Sequence, residues 1–229
     1  MKLTHFVEAQ QLTPKLLYSF FQDASELRGR LRQHSNDLDG KVLASLFYEP
    51  STRTRLSFET AMLRLGGQII STENAKEFSS AIKGETIEDT IRVVGGYADC
   101  IVLRHYEDGT AKIASEISSV PIINAGDGKG QHPSQALLDV YTIYKELGRM
   151  DNFRIAMVGD LASGRTARSL CYLLGKFKGI ESHNGSDLWR FEIRGKSVLI
   201  TPTRHFIAKI ETDKKVIYLR NLTELDAAS

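Results

Sequence analysis

Cysteine is scarce in this chain, which has only Cys100 and Cys171 among its 229 residues. Two cysteines so far apart exclude a disulfide framework or a zinc site, and they suit a reducing compartment. Long apolar runs are also missing, because no stretch reaches the roughly 18 residues that a membrane helix needs. The opening residues, MKLTHFVEAQ, lack the apolar core of a signal peptide. We therefore expect a cytoplasmic protein that does not associate with a membrane.

An excess of charge of one sign is lacking as well. The 30 basic residues nearly balance the 28 acidic ones, and the formal net charge is +2. A chain with this balance has no overall field that would attract nucleic acid or a membrane surface. Nucleic acid is therefore not an expected partner, and any recognition of an anion must be local.

Short apolar runs alternate with segments of helical spacing along most of the chain. The predicted strands cover residues 41–47, 68–70, 100–103, 120–123 and 154–158. The predicted helices begin at Pro14, after Arg55, at Thr86, at Ser134 and at Thr166. This alternation predicts an α/β fold, with a mostly parallel sheet and helices on both of its faces. In such sheets a ligand binds beyond the carboxyl ends of the strands.

The stretch FYEPSTRTR at residues 47–55 lies between a predicted strand and a predicted helix. It concentrates three hydroxyls and two guanidiniums, on Ser51, Thr52, Thr54, Arg53 and Arg55. A helix N-terminus offers unpaired N–H groups and a partial positive charge, and arginine can hold two phosphate oxygens at once. The alternative is a helix cap with surface arginines, but a cap needs one hydroxyl rather than three. We therefore predict an anion site here.

Three further loops follow predicted strands, so the fold would bring them to the same edge of the sheet. Arg104-His105 ends one strand, and His132 precedes a helix, where a histidine can polarise a carbonyl. The alternatives are a surface arginine and a capping histidine. The segment GDLASGRT at residues 159–166 has the glycine spacing of a nucleotide-binding P-loop, but Arg165 replaces the lysine that such loops need.

Another loop is polar and contains glycine. Its Ser79 and Lys83 stand four residues apart and can bring a hydroxyl and an ammonium group to an anion. On their own they are equally consistent with a solvated loop.

Together these stretches resemble the catalytic chain of the aspartate carbamoyltransferase family. The resemblance rests on FYEPSTRTR, KGET at 83–86, LRH at 103–105, NAGDG and QHPSQALLD between 124 and 139, and MVGDLASGRTARS at 157–169. Its order and spacing fit over roughly residues 2–177. The ornithine carbamoyltransferases share the S-T-R-T core and a histidine–proline motif, but they usually have lysine where this chain has Glu49.

The resemblance implies a reaction. The amine of L-aspartate attacks the carbonyl of carbamoyl phosphate, which gives N-carbamoyl-L-aspartate and phosphate in pyrimidine biosynthesis. The implied ligands of carbamoyl phosphate are Ser51, Thr52, Arg53, Thr54, Arg104, His132 and Gln135, the last of these on the carbamoyl amide. The implied catalytic residues are Arg53, Thr54, Arg104 and His132. Arg165 and Lys83 would bind aspartate.

The resemblance also implies an assembly. Ser79 and Lys83 match a loop that, in this family, reaches the active site of the adjacent subunit, so a cyclic homotrimer is expected. Regulatory or other pathway subunits are further partners that the resemblance leaves open. It implies no cofactor and no metal.

Three segments are expected along the chain. Residues 1–148 would form the carbamoyl-phosphate-binding domain, 149–177 the start of an aspartate-binding domain, and 178–229 a divergent β-rich tail. The tail lacks the arginine–x–glutamine segment and the H-P-L-P-R loop of the family. Its predicted strands, at 188–194, 197–201, 205–211 and 215–220, suggest an antiparallel meander. A fusion or truncation, a shifted reading frame and a divergent homologue would each account for this tail.

Three other functions remain open at this point. A non-catalytic homologue would keep the carbamoyl phosphate site without a complete aspartate domain. In the second alternative, ornithine would replace aspartate as the acceptor of the carbamoyl group. In the third the tail would act on RNA, because HFIAKIETDKKVIYLRNLTE at residues 205–224 resembles the terminal hairpin of RNA-cleaving toxins of the HigB/RelE type.

Overall fold

A computed structural model describes this chain at residues 3–30, 35–73, 84–151, 153, 155, 157, 164–177, 189–193, 196–200, 207–211 and 216–219. Its helices are α1 Pro14–Gly29, α2 Thr52–Arg64, α3 Ile87–Gly95, α4 Thr110–Ile117, α5 Pro133–Leu147 and α6 Arg165–Leu174. Its strands are β1 Val42–Phe47, β2 Gln68–Glu73, β3 Cys100–His105, β4 Ile122–Asp127, β5 Trp189–Ile193, β6 Lys196–Ile200, β7 Ile207–Glu211 and β8 Val216–Leu219. A 3-10 turn, Ala9–Gln11, precedes α1.

The first four strands form one parallel sheet in the order β2-β1-β3-β4. The chain runs outward from β1 to β2 and then crosses to the other side of β1 to form β3 and β4. The order reverses between β1 and β3, which creates a crevice at the carboxyl ends of these two strands. The register pairs Phe47, the last residue of β1, with Arg104 of β3. Residues that follow β1 therefore come to lie beside residues that end β3.

Alternate strand residues face two layers of helices, as the period of two in a strand requires. The buried residues that pack with Ile91 of α3 and Ala114 of α4 are Ala44, Leu46, Ile101 and Leu103. Those that pack with Met62 of α2 are Leu43, Phe47, Val102 and Ala125. A third apolar cluster joins α1, α5 and α6 around Phe21, Val140 and Leu173. The predicted α/β fold, with helices on both faces of a parallel sheet, is confirmed.

Helices begin where the local sequence satisfies their free N–H groups. Thr13 Oγ1 accepts a hydrogen bond from Leu16 N at 3.3 Å, and Thr86 Oγ1 accepts one from Asp89 N at 3.2 Å. Each such cap contributes about 1 kcal/mol to stability. Gly148 ends α5 with a φ of +68°, in the left-handed region that glycine enters most easily.

Two elements differ from the prediction. The strand β4 begins at Ile122, two residues later than expected, and it continues to Asp127 through residues that we predicted as a loop. Phe6 supports this strand, because its N–H donates to Ile122 O at 2.8 Å and its carbonyl accepts from Asn124 N at 2.9 Å. Helix α4 has no counterpart among the predicted elements. Its N-cap is Gly109, with a φ of +80° and no capping side chain.

The predicted tail strands are present, but their arrangement differs from a single meander. The strands β5 and β6 pair antiparallel, as do β7 and β8, and the described residues place the two pairs in separate sheets. The strand predicted at 154–158 lies largely outside the described residues, although Ile155 and Met157 pack against the α1–α5–α6 cluster. Within the described part of the chain, no helix is both long and apolar enough to cross a membrane.

Candidate active site

The carboxylate of Glu49 lies in the crevice between β1 and β3 and binds two arginines. Arg104, near the end of β3, donates from Nη2 to Glu49 Oε1 at 2.6 Å. Arg165, the first residue of α6, donates from Nη2 to the same oxygen at 2.9 Å and from Nη1 to Oε2 at 3.0 Å. The fold therefore joins residues from three segments that are far apart in the sequence.

The charges in this cluster do not balance. Burial on its own would raise the pKa of the Glu49 carboxyl, but hydrogen bonds from Arg165 and the charges of both arginines outweigh it and lower that pKa. Burial also lowers the pKa of Arg104, and the charge of Arg165 lowers it further. Arginine stays protonated even so. Two guanidiniums against one carboxylate leave an excess of positive charge in the crevice.

Arg104 has an unsatisfied donor as well. Its side chain is 10% exposed, and its Nε is buried without a hydrogen-bond partner among the described residues. A buried donor without a partner costs about 1–3 kcal/mol. Such a group in a positively charged crevice is a candidate contact for a ligand oxygen.

The last residues of β4 and the glycine that follows the strand contact both arginines. Gly126 has a φ of +115°, and a Cβ there would lie 3.1 Å from Arg104 Nη1 and 3.1 Å from Arg165 Nε. The carbonyl of Ala125 accepts from Arg104 Nη1 at 3.2 Å, and that of Gly128 accepts from Arg165 Nη1 at 2.7 Å. The backbone conformation favours glycine at position 126, and a larger residue there would also press on both guanidiniums.

His132 is buried beside this cluster and is held by main-chain contacts. Its N–H donates to Ser169 Oγ of α6 at 2.9 Å. Its Nδ1 accepts from Gln135 N at 3.4 Å, which makes it the N-cap of α5. Burial, followed by the charges of Arg104 and Arg165, lowers the pKa of His132 to about 4. The ring is therefore neutral at pH 7, and because Nδ1 accepts, Nε2 carries the proton and can donate it to a carbonyl oxygen.

The hydroxyl-rich segment forms the start of α2, directly after Glu49. Ser51 is the N-cap residue, but its side chain makes no capping hydrogen bond. Thr52 and Arg53 are exposed, whereas Ser51 and Thr54 are partly buried. The simple helix-cap alternative therefore finds no support at Ser51. Within the described residues, no side-chain hydrogen bond or ion pair joins Ser51, Thr52, Arg53 or Thr54 to the arginine cluster, so the part of this segment in an anion site stays a prediction.

Arg55, the second arginine of the segment, serves a different contact. Its Nη1 lies 3.7 Å from Glu59 Oε1 and 3.4 Å from Ser71 Oγ on β2. Ser71 also donates to the buried Glu59 carboxylate at 2.6 Å. These contacts fasten the start of α2 to the edge of the sheet, which leaves Arg53 as the arginine that faces solvent.

Gln135, in the first turn of α5, is paired with an acid one turn later. Its Nε2 donates to Asp139 Oδ1 at 3.0 Å. Both side chains are partly buried. Burial raises the pKa of Asp139, and the hydrogen bond from Gln135 partly offsets this shift. The amide nitrogen of Gln135 thus has a hydrogen-bond acceptor in the same helix.

Comparison with known proteins assigns the chain to a family. The model of the aspartate/ornithine carbamoyltransferase carbamoyl-P binding domain matches residues 4–145. The chain belongs to the aspartate/ornithine carbamoyltransferase family. Among curated members, chloroplastic aspartate carbamoyltransferase 3 of Pisum sativum is 58% identical over 182 residues, which is 79% of this chain and 46% of that protein. The aspartate carbamoyltransferase catalytic subunit of Methanocaldococcus jannaschii is 62% identical over 146 residues, 64% of this chain and 47% of the relative.

Solved carbamoyltransferases share the fold. Aspartate transcarbamoylase of Trypanosoma cruzi, in complex with carbamoyl aspartate and phosphate, superposes with a TM-score of 0.73 at 40% identity, covering 77% of this chain and 58% of that one. The M. jannaschii catalytic subunit superposes with a TM-score of 0.72 at 51% identity, with the same coverage. The chain spans about half the length of the curated relatives it matches.

Some of the predicted carbamoyltransferase residues lie together in the structure, and others fall outside its description. Arg104, Arg165 and His132 converge, since both arginines act on the pKa of the histidine. Ser79 and Lys83 lie outside the described residues, as does the segment 159–163 of the P-loop-like stretch. The roles expected for all of them stay predictions.

Sequence reasoning missed several residues of this candidate site. Glu49 served only as a family marker, although a lone carboxylate between a strand and a run of cationic donors is a usable signal. Asp139 stands four residues after Gln135, a spacing at which helical side chains meet. Ser169 contacts a residue 37 positions away, and no local pattern could have indicated that contact.

Proposed function

We propose that this chain carries the carbamoyl phosphate site of an aspartate carbamoyltransferase and transfers the carbamoyl group to L-aspartate. The observation that carries the proposal is the meeting of Arg104, Arg165 and a neutral His132 at the switch point of the sheet. The names of the relatives support it, as do the T. cruzi structures with carbamoyl phosphate and aspartate. The products would be N-carbamoyl-L-aspartate and phosphate.

In this proposal the phosphate binds at the start of α2. The first-turn N–H groups and the hydroxyls of Ser51, Thr52 and Thr54 donate to its oxygens, and the exposed Arg53 closes over it. The positive excess in the neighbouring crevice favours a ligand with two negative charges. Phosphate oxygens compete with Glu49 for the donors of Arg104.

The carbonyl group is activated by donors that are already in place. The amine nitrogen bonds to the carbonyl carbon, and negative charge then develops on the carbonyl oxygen. Arg104, Thr54 and the Nε2–H of His132 stabilise that charge, and a neutral histidine can do so without repelling two arginines. The carbon–oxygen bond to phosphate breaks next, and the departing phosphate takes the electron pair and the proton that the amine releases.

Aspartate fits the acceptor role better than ornithine. Arg165 holds the Glu49 carboxylate through two nitrogens, which is the geometry that a substrate carboxylate requires, with Lys83 as the expected second contact. Because both amino acids carry an α-carboxylate, the choice between them depends on residue 49 and on the relatives. A lysine at position 49, usual in ornithine carbamoyltransferases, would place a third positive charge beside two guanidiniums. The relatives reported above carry the name aspartate carbamoyltransferase.

Mass spectrometry of a reaction mixture tests the transfer. The purified chain is incubated with carbamoyl phosphate and L-aspartate, and in parallel with L-ornithine, and the carbamoylated products are quantified. We expect N-carbamoyl-aspartate from the parent and a loss of about 1,000-fold in Arg53→Ala, because donors to developing charge have effects of this order. Arg28→Ala removes an exposed arginine from the last turn of α1 and is the matched control.

The outcomes separate the alternatives. Binding of carbamoyl phosphate by calorimetry, without product from folded protein, would favour the non-catalytic homologue. Carbamoyl-ornithine instead of carbamoyl-aspartate would reassign the acceptor. Near-normal activity in Arg53→Ala, or no binding of carbamoyl phosphate by the parent, would overturn the proposal. Salt-sensitive RNA binding by the chain would favour the RNA-directed tail.

We also propose a homotrimer in which Ser79 and Lys83 complete the site of the neighbouring subunit, in the cytoplasm. Support for the trimer comes from the family resemblance, and the two free cysteines suit a reducing compartment. Mixing Arg53→Ala with Lys83→Ala should restore activity in hybrid trimers, and a monomeric mass in solution would contradict the assembly. Cell fractionation tests the location, since the relative from P. sativum is named chloroplastic.

A further inference from the structure

The pair of Gln135 and Asp139 fixes the orientation of the glutamine amide. A glutamine amide has an acceptor oxygen and a donor nitrogen of nearly equal size, so without a constraint it can present either one. An ionised carboxylate only accepts hydrogen bonds. The structure accordingly has Gln135 donating from Nε2 to Asp139 Oδ1 at 3.0 Å.

The other end of the amide is left for a ligand. Within the described part of the chain, Oε1 of Gln135 makes no hydrogen bond. Gln135 stands in the first turn of α5, and its main-chain N–H donates to Nδ1 of His132 at 3.4 Å. The residue that carries this acceptor oxygen therefore stands in the helical turn that begins at the histidine that we place on the substrate carbonyl.

We propose that Asp139 is a specificity-determining positioning residue: it holds Gln135 so that Oε1 accepts a hydrogen bond from the carbamoyl –NH2. This inference rests on the proposed function. Carbamoyl phosphate and acetyl phosphate have nearly the same shape and differ at one group, an –NH2 against a –CH3. A fixed acceptor favours the amino group, whereas a methyl group would leave that acceptor without a partner. An amide free to turn would discriminate much less.

A purely structural role for Asp139 makes a different prediction. Glutamine and aspartate four residues apart stabilise a helix modestly wherever they occur. If that were the whole role, replacing Asp139 would lower helix stability and weaken all ligands equally. The preference for an amino group over a methyl group would not change.

Two stable phosphonates measure the preference by equilibrium binding. Phosphonoacetamide carries the –NH2, and 2-oxopropylphosphonate carries –CH3 at the same position. We expect the parent to bind the amide about tenfold more tightly than the ketone. Asp139→Asn should lose most of that ratio, because the charged acceptor that orients the Gln135 amide is removed. Asparagine keeps the size of the side chain but can donate as well as accept. Glu146→Gln makes the same acid-to-amide change at an exposed position of α5 and should keep the ratio.

The failure of this inference differs from the failure of the proposed function. If the parent binds neither phosphonate nor inorganic phosphate, both are overturned. If it binds both phosphonates equally, or if Asp139→Asn keeps the parent ratio, the positioning role is overturned while the phosphate site stands.

Nuclear magnetic resonance gives a readout that needs no ligand. In the parent, the side-chain –NH2 resonance of Gln135 should be displaced from the position of exposed glutamine amides because it donates to Asp139. Asp139→Asn should return it towards that position, and Glu146→Gln should leave it in place. An unchanged Gln135 resonance in Asp139→Asn would overturn the inference.

Discussion

The two ends of strands β1 and β3 differ in the polarity of the residues around them. Beyond their carboxyl ends, Glu49, Arg104 and Arg165 form a polar cluster with more positive than negative charge. Near their amino ends lies a cavity of about 400 Å³. Its lining is mainly apolar and includes Leu43, Phe58, Met62, Leu65 and Ile123. One pair of strands thus separates a charged site from an apolar space.

Charged groups occur at both ends, but they are paired in different surroundings. Lys41 and Asp99 form an ion pair of 2.8 Å at the cavity, with side chains 56% and 40% exposed. Solvent screens such a pair, so it contributes little. Arg104 and Arg165 are 10% and 15% exposed, where unbalanced charge is costly. We therefore expect the charged cluster to serve binding and the apolar end to affect stability.

The largest expected effect is at the charged end. Arg104→Met keeps the apolar stem and removes the guanidinium, and the affinity for phosphonoacetamide should fall about 100-fold, as for the loss of charge-assisted hydrogen bonds. The free energy of unfolding should change by less than about 2 kcal/mol, because Glu49 keeps its two bonds to Arg165 and the buried Nε is removed. Calorimetry and urea unfolding measure the two quantities.

The matched control for this substitution is Arg28→Met, at an exposed arginine of α1. It should change neither quantity. A parent-like affinity in Arg104→Met would place the ligand elsewhere and would remove the functional half of the comparison.

The second expected effect is a pH dependence of stability from His132. Its pKa in the folded chain is about 4, below the ordinary value of 6.5, so the unfolded chain binds the proton first as pH falls. The stabilisation is therefore complete above about pH 6.5 and is lost as pH falls towards 4. Between pH 7 and pH 5 the free energy of unfolding should fall by about 2 kcal/mol on this account.

Urea unfolding of the parent and of His132→Gln at both pH values isolates this contribution. The fall between pH 7 and pH 5 should be smaller in the variant by about 2 kcal/mol. If the free energy of unfolding falls equally in both proteins, burial beside the arginines does not hold the ring neutral. Water would then reach the cluster more than its low exposure indicates.

The sequence could predict the elements whose ends carry local signals. Helix α1 begins after Thr13 and α3 after Thr86, and in both cases the hydroxyl caps the helix as its spacing predicts. Helix α4 begins after Gly109, which has no side chain to mark a start. The strand β4 extends to Asp127 because that residue pairs with His105 of β3, a contact between segments that are distant in the sequence.

The sequence could predict which residues lie at the site, but not which of their side chains bond to each other. Strands that end in polar residues indicated Arg104 and Arg165 correctly as neighbours of one crevice. The partner of both, Glu49, lies 116 residues from Arg165, and pairing at such separations depends on the strand order, which local sequence does not encode. The contact of Gln135 with Asp139 is local, and helical spacing alone would have sufficed to suggest it.

The smallest expected effect is at the apolar end, and it tests whether the two ends are independent. Ala61 is exposed and lines this open cavity, so Ala61→Leu adds apolar surface over its lining and should raise the free energy of unfolding by at most about 1 kcal/mol. Thr60→Leu puts the same side chain at an exposed neighbour outside the cavity lining and should not stabilise. Affinity for phosphonoacetamide should stay at the parent value in both variants. If the affinity changes in Ala61→Leu but not in Thr60→Leu, a change of packing beside the cavity alters binding at the N-terminus of α2. The two ends would then not be independent.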